Sequence, residues 1–104
     1  MTVLEKRLEL HEILCGLLGS ANVYFQPPES VRMKYPAILY KRSKIANEYA
    51  DNDVYRQTMQ YQVTVMDYDP DSVIPLKVSK LPTCSHERSY CADNLNHDVF
   101  TLYY

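Results

Sequence analysis

The sequence predicts an α+β domain: a mainly antiparallel sheet with helices on one face, in the order α-β-β-β-α-β-β. Three observations lead there. Residues 3–18 carry an amphipathic helical pattern bounded by recognisable start and stop residues. Residues 54–67 alternate apolar and polar side chains with a period of two. Extended segments outnumber helical ones, and no repeated strand–helix–strand pattern appears.

The helix comes first. Thr2 and Glu5 have capping-box spacing, with a hydroxyl and a carboxylate each able to reach an orphan backbone N–H. Leu4, Leu8, Cys15 and Leu18, with Val3, Leu10, Ile13, Leu14 and Leu17, make a wide apolar face. Glu5, Lys6, Arg7, Glu9 and Glu12 lie largely opposite. Gly19 is a natural stop, because it accepts a left-handed backbone at no steric cost.

Val23–Phe25 is a short strand, stopped by Pro27-Pro28. Pro36 opens a stronger one over Ala37–Lys44. Residues 45–54, with Asn47, Asp51, Asn52 and Asp53, read as a polar turn. In Val54–Asp67, Tyr55, Met59, Tyr61, Val63 and Val65 alternate with Arg56, Thr58, Gln60, Gln62 and Thr64. Nearness in sequence makes an antiparallel hairpin of 37–44 and 54–67. A second helix is expected over residues 72–81, with Ser72 as N-cap and Pro75 in the first turn, where no N–H is needed. Ile74, Val78 and Leu81 give it an inward stripe, and Pro82 ends it. Strands near 83–91 and 97–104 follow, with Asp93, Asn94 and Asn96 in the turn between them.

At 104 residues the chain reads as one domain, 1–104, able to bury a core without metal or disulfide. A net charge of −2 gives no general basic footprint for nucleic acid. With two glycines, a glycine-rich phosphate loop is not expected. Ten tyrosines and no tryptophan suit strands and protein–protein contacts alike. No secretory leader or membrane-spanning stretch is visible. Cys15, Cys84 and Cys91 lack Cys-x-x-Cys spacing and read as reduced thiols.

Motifs for chemistry are weak. Asp67, Asp69 and Asp71 begin like a calcium loop, but its sixth position is Ser72 and its twelfth Val78, so the stretch reads as a solvated turn. Cys84, His86, Cys91 and His97 contain zinc-ligand types without the paired knuckle spacing. His11 reads as a rim or core histidine. Ser85 beside His86 is no evidence for a triad, which is defined in space. No catalytic, metal or cofactor residue is therefore expected.

Charge is more informative. Residues 32–44 hold Arg32, Lys34, Lys41, Arg42 and Lys44 without an acid. Residues 45–54 hold Glu48, Asp51 and Asp53 without a base. These are either ordinary solvated surface or self-complementary patches, and head-to-tail contacts of the second kind close into rings when the rotation fits. Val99–Tyr104 runs apolar and aromatic, so it pairs within the sheet or needs a partner to cover its edge.

The chain resembles the small tail-terminator, or tail-completion, proteins of long-tailed bacteriophages and prophages. The likeness covers nearly the whole chain. It rests on the leading helix, Tyr35-Pro36 before a strand, the Asp67–Ser72 turn with Pro75, and Leu81-Pro82. Its most distinctive stretch is Tyr90 with Ala92-Asp93-Asn94-Leu95-Asn96-His97-Asp98 and the closing Val99–Tyr104 strand. The resemblance implies a non-enzymatic virion protein at the head-proximal end of the tail, assembled in the host cytoplasm. It implies a homo-oligomeric ring, usually hexameric, that caps the tail tube protein and meets the head–tail connector or head-closure protein. DNA would pass through the lumen without sequence-specific binding, and no membrane is involved. Within that picture Arg32, Lys34, Lys41, Arg42 and Lys44 are candidate subunit-interface residues. Glu48, Asp51 and Asp53 are a candidate lumen or partner loop, since like charge keeps passing phosphates from sticking. The alternatives are a head-side joining protein, such as a head-closure or minor capsid component, a small metal-dependent or nucleic-acid-processing enzyme, and a monomeric binding module of the same fold class.

Overall fold

The structure, a computed structural model, describes residues 2–28, 30–51 and 53–104, with the side chains of residues 54–56 outside the described set. Helix α1 spans Val3–Leu18 and is followed by β1 (Val23–Phe25), β2 (Ala37–Ala50) and β3 (Asp53–Asp67). Helix α2 (Ile74–Ser79), β4 (Cys84–Ala92) and β5 (Leu95–Tyr103) complete the chain. The expected α-β-β-β-α-β-β order is observed. The strands form one sheet in the order β1-β2-β3-β5-β4, with β1 parallel to β2 and every other pair antiparallel.

The ends of α1 follow from its caps. The Glu5 N–H donates to Thr2 Oγ1 at 3.1 Å. Gly19 takes φ 79°, and its N–H donates to the Cys15 carbonyl. The apolar face is narrower than its leucines imply. Leu10 and Leu14 are buried, whereas Leu4 and Leu8 are 57% and 49% exposed. Both helices cover the same side of the sheet. Leu10 and Leu14 of α1 and Ile74 and Val78 of α2 share one core with Ile38, Tyr40, Tyr61, Val63, Val65, Phe100 and Leu102. Strand alternation puts all these sheet residues on one face. The register confirms it, aligning Tyr40 with Val63, and Val63 with Phe100.

Several elements differ from the sequence expectation: α2 is shorter at both ends, β2 and β3 reach into residues 45–53, and β5 begins at Leu95, so Asn96 is strand rather than turn. Helix α2 begins at Ile74 rather than Ser72, with Val73 in the N-cap position. Ser72 still contributes, because its Oγ accepts the Ile74 N–H at 3.3 Å. Residues 45–50 are strand rather than turn, and so is Asp53. The β4–β5 turn is the two-residue Asp93-Asn94, both with positive φ (53° and 63°). Two positive φ values make the hairpin turn whose twist matches the flanking strands.

At the core centre, the fully buried Tyr40 ring packs against Phe25 and Tyr61 at 4.9 and 6.0 Å between centroids. Arg7 donates to its hydroxyl at 3.3 Å, and His11 Nδ1 lies 2.7 Å from the same oxygen. The Tyr40 hydroxyl can accept from Arg7 and donate its own proton to the imidazole in its neutral form. Burial, reinforced by the Arg7 charge, holds His11 below its ordinary value of 6.5. The unfolded chain then binds this proton more readily than the fold does, so stability rises with pH. The contribution is complete above 6.5 and declines as pH falls from there toward the folded-state value. The urea midpoint should therefore drop between neutral and mildly acidic pH, and His11→Gln should flatten that drop.

Strand β5 lies inside the sheet, between β3 and β4. Leu102 is buried, the Tyr104 N–H donates to the Met59 carbonyl, and the Tyr104 hydroxyl donates to Glu9. That hydroxyl is pushed up to about 12, chiefly by its bond to the Glu9 carboxylate. Removing Leu102–Tyr104 strips the last core layer and should leave the protein insoluble on expression. A soluble, folded truncation product would refute this integral role.

Candidate functional site: a projecting ribbon and a cationic sheet face

The β2–β3 hairpin outruns its sheet. Strand β1 pairs β2 only over Ile38–Tyr40, and β5 pairs β3 only from Gln60 onward. Beyond those limits Lys44–Ala50 and Asp53–Gln60 pair with each other. The result is a two-stranded ribbon, which accounts for the elongated 51 × 25 × 23 Å envelope. Its residues carry no apolar alternation over 46–50, because both faces of a free ribbon meet water. Ile45 and Tyr49 are nonetheless 51% and 65% exposed. Glu48, Asp51 and Asp53 are exposed, with Asp51 at φ 53° in the turn and Glu48 in register with Arg56. The predicted acidic loop is thus the tip of a strand ribbon.

The five basic residues do not form one patch. Arg32 and Lys34 lie in the segment before β2, where the Lys34 N–H donates to the Tyr24 hydroxyl. Alternation and a register shift between Arg42 and Lys44 divide the others. Arg42 pairs with Tyr61 on the helix-covered face, its guanidinium 5.9 Å from the Phe25 ring centre and 5.8 Å from that of Tyr61. The Arg7 guanidinium lies 4.3 Å from the same Phe25 ring centre. Lys41 pairs with Gln62 and Lys44 with Gln60, which puts both on the opposite, helix-free face.

That face carries a third cation that the sequence reading passed over. Arg88 of β4 and Lys41 of β2 line one depression of about 310 Å³, together with Thr64, Val99, Tyr90 and His97. Tyr90 and His97 stack with centroids 4.6 Å apart and planes 10° from parallel. Register aligns Tyr90 with His97, so the stack is a cross-strand pair. The signal was present only as an alternation across a hairpin whose β4 register shifts between His86 and Arg88.

The remaining polar cluster is on the helix side. His86 Nε2 lies 3.1 Å from Ser89 Oγ and 3.2 Å from Asp98 Oδ1, while the Ser89 hydroxyl donates to Asp98. Ser89, rather than the neighbouring Ser85, meets His86. A nucleophile–base–acid relay needs the serine and the acid on opposite imidazole nitrogens, whereas here both face the same one. The cluster ties β4 to β5 beside the β4 bulge. The Asp67–Asp71 stretch is a pair of side-chain turns, with the Asp69 N–H donating to Asp67 Oδ1 and the Asp71 N–H to Asp69 Oδ1. Cys84 shares the helix-side face with His86, and burial pushes its thiol up, away from reactivity. Among the described residues, no three His, Cys, Asp or Glu side chains are grouped to hold a metal ion. Among the same residues, no helix is long and apolar enough to cross a membrane. Comparison with protein-family models, curated proteins and solved structures finds no match to this chain.

Proposed function

We propose that this protein is a non-enzymatic tail-terminator subunit of a long-tailed phage or prophage. In this reading, copies form a ring, hexameric by resemblance, on the last ring of the tail tube. The ring stops tube growth and presents a surface to the head connector, and DNA passes through its lumen. The protein acts in the virion after assembling in the host cytoplasm.

The projecting ribbon is the observation that carries the reading. A two-stranded ribbon is marginal on its own in water. Among the described residues, this one has no strand paired to the outer edges of Lys44–Ala50 and Asp53–Thr58, and it exposes Ile45 and Tyr49. Free edges and apolar side chains on a projecting arm are a liability in a monomer and an asset in an assembly. The acidic tip adds a means of choosing a partner by charge.

The test is tube assembly with the tail-tube protein encoded alongside this chain. Increasing amounts of the protein should shorten the tubes seen by electron microscopy. The effect should be stoichiometric, with a fixed few copies retained at one tube end. Unchanged tube lengths at an excess of the protein would remove the proposal. So would turnover of a small substrate that is lost on changing one pocket residue.

A further inference from the structure

We propose that the helix-free sheet face is the docking site for the ribbon tip of a second copy of this chain. The inference rests on the ring reading above and specifies which surfaces meet. It places Glu48, Asp51 and Asp53 in a subunit contact rather than on a lumen wall.

The receiving surface is cationic and aromatic. Lys41 and Arg88 reach one depression from β2 and β4, which have two strands between them. Thr64 and Val99, in register with each other, lie between them. The Tyr90–His97 stack supplies a flat aromatic wall, and the Arg88 guanidinium sits 5.6 Å from the Tyr90 ring centre. Lys44 follows on the same side of β2. Among the described residues, one acid stands nearby: Glu87, next to the β4 bulge, shares a neighbouring depression with Lys41. The local balance stays positive.

The incoming surface complements it. Glu48, Asp51 and Asp53 are exposed at the end of the ribbon. Tyr49, 65% exposed beside them, offers a ring to the aromatic wall. Covering Tyr49 and the Tyr90–His97 stack together would add apolar contact to the charge pairing.

Geometry makes the contact intermolecular. The β2–β3 pairing runs from Ala37 and Met66 to Ala50 and Asp53, so the ribbon continues its own sheet. Lys41 and Asp51 are ten positions apart on that path. At the rise of a strand, this is roughly 30 Å. The tip therefore cannot fold back onto its own face. A tip meeting a different patch on the next copy is a heterologous contact, which generates a ring or an open filament.

The test uses charge reversal at exposed positions. One variant carries Glu48→Lys and Asp53→Lys, and the other carries Lys41→Glu and Arg88→Glu. Circular dichroism first confirms that both are folded. Self-association is read by sedimentation over a concentration series at low salt, and again as copies retained on tubes of the tail-tube protein. Each variant alone should associate about tenfold or more weakly than the parent. The equimolar mixture should recover parental association, because every tip then meets a face of opposite charge in an alternating ring. Several results would overturn the contact: a mixture no better than its components, a parent that gathers neither in solution nor on tubes, or tip reversal without effect. Charge-dependent association without tube capping would keep the contact and remove the tail-terminator reading. Capping unaffected by either reversal would do the opposite.

Discussion

Replacing Tyr40 by Ala is expected to destabilise the fold by about 3–5 kcal/mol, the usual cost of removing a fully buried aromatic ring. A domain of this size has only about 5–15 kcal/mol to lose. The ring joins three elements to β2. Phe25 on β1 and Tyr61 on β3 flank it, and Arg7 and His11 of α1 meet its hydroxyl. Tyr40→Phe separates these roles. It keeps the ring and removes the hydroxyl, so the cost should fall to about 1 kcal/mol, the net worth of a typical hydrogen bond. Urea titration of both variants measures the difference. Equal losses would mean that the polar contacts, and not the ring packing, hold α1 to the sheet.

The contrast between Tyr40 and the ribbon also explains what could be read from the sequence. Where one face of an element is buried and the other wet, the pattern is explicit. Tyr61, Val63 and Val65 are buried while Gln60, Gln62 and Thr64 are half-exposed, so β3 announces itself by period alone. The α1 boundaries were legible because Thr2 and Gly19 have local, one-residue reasons to be there. The ribbon lacks any such signal. Ile45–Ala50 is solvated on both sides, and its Asn47 and Glu48 read as loop residues although the backbone is paired throughout. Leu4 and Leu8 mislead in the opposite sense, because an apolar side chain records a preference and not a neighbour. The same limit applies to the site. Glu48, Asp51 and Asp53 could be named from charge alone. The division of Lys41 from Arg42 needed the strand's alternation, and the convergence of Lys41 with Arg88 needed the β3–β5–β4 register. Likewise, Ser89, His86 and Asp98 meet only through hairpin pairing with a bulge in it.

Shortening the ribbon should abolish tube capping while leaving the domain folded. Replacing residues 46–58 by Asn-Gly joins Ile45 to Met59, which already face each other across the hairpin. A two-residue Asn-Gly loop is the connection such a pair favours. Little stability should be lost, because the core residues of β2 and β3 lie outside the deleted segment. A shorter closing loop also lowers the entropy cost of pairing the strands. The urea midpoint should stay close to the parent's, and tube lengths should return to those grown without the protein. Function and fold would then have been separated within one hairpin. A shortened protein that still caps tubes would show that assembly relies on other surfaces. The exposed Leu4 and Leu8 of α1, or Val73 and Leu76 around α2, would become the next ones to change. An unfolded product would instead mean that the ribbon helps to hold the sheet, contrary to the few core contacts it makes. Loss of capping with the fold intact is the outcome expected if the arm exists to meet a neighbour.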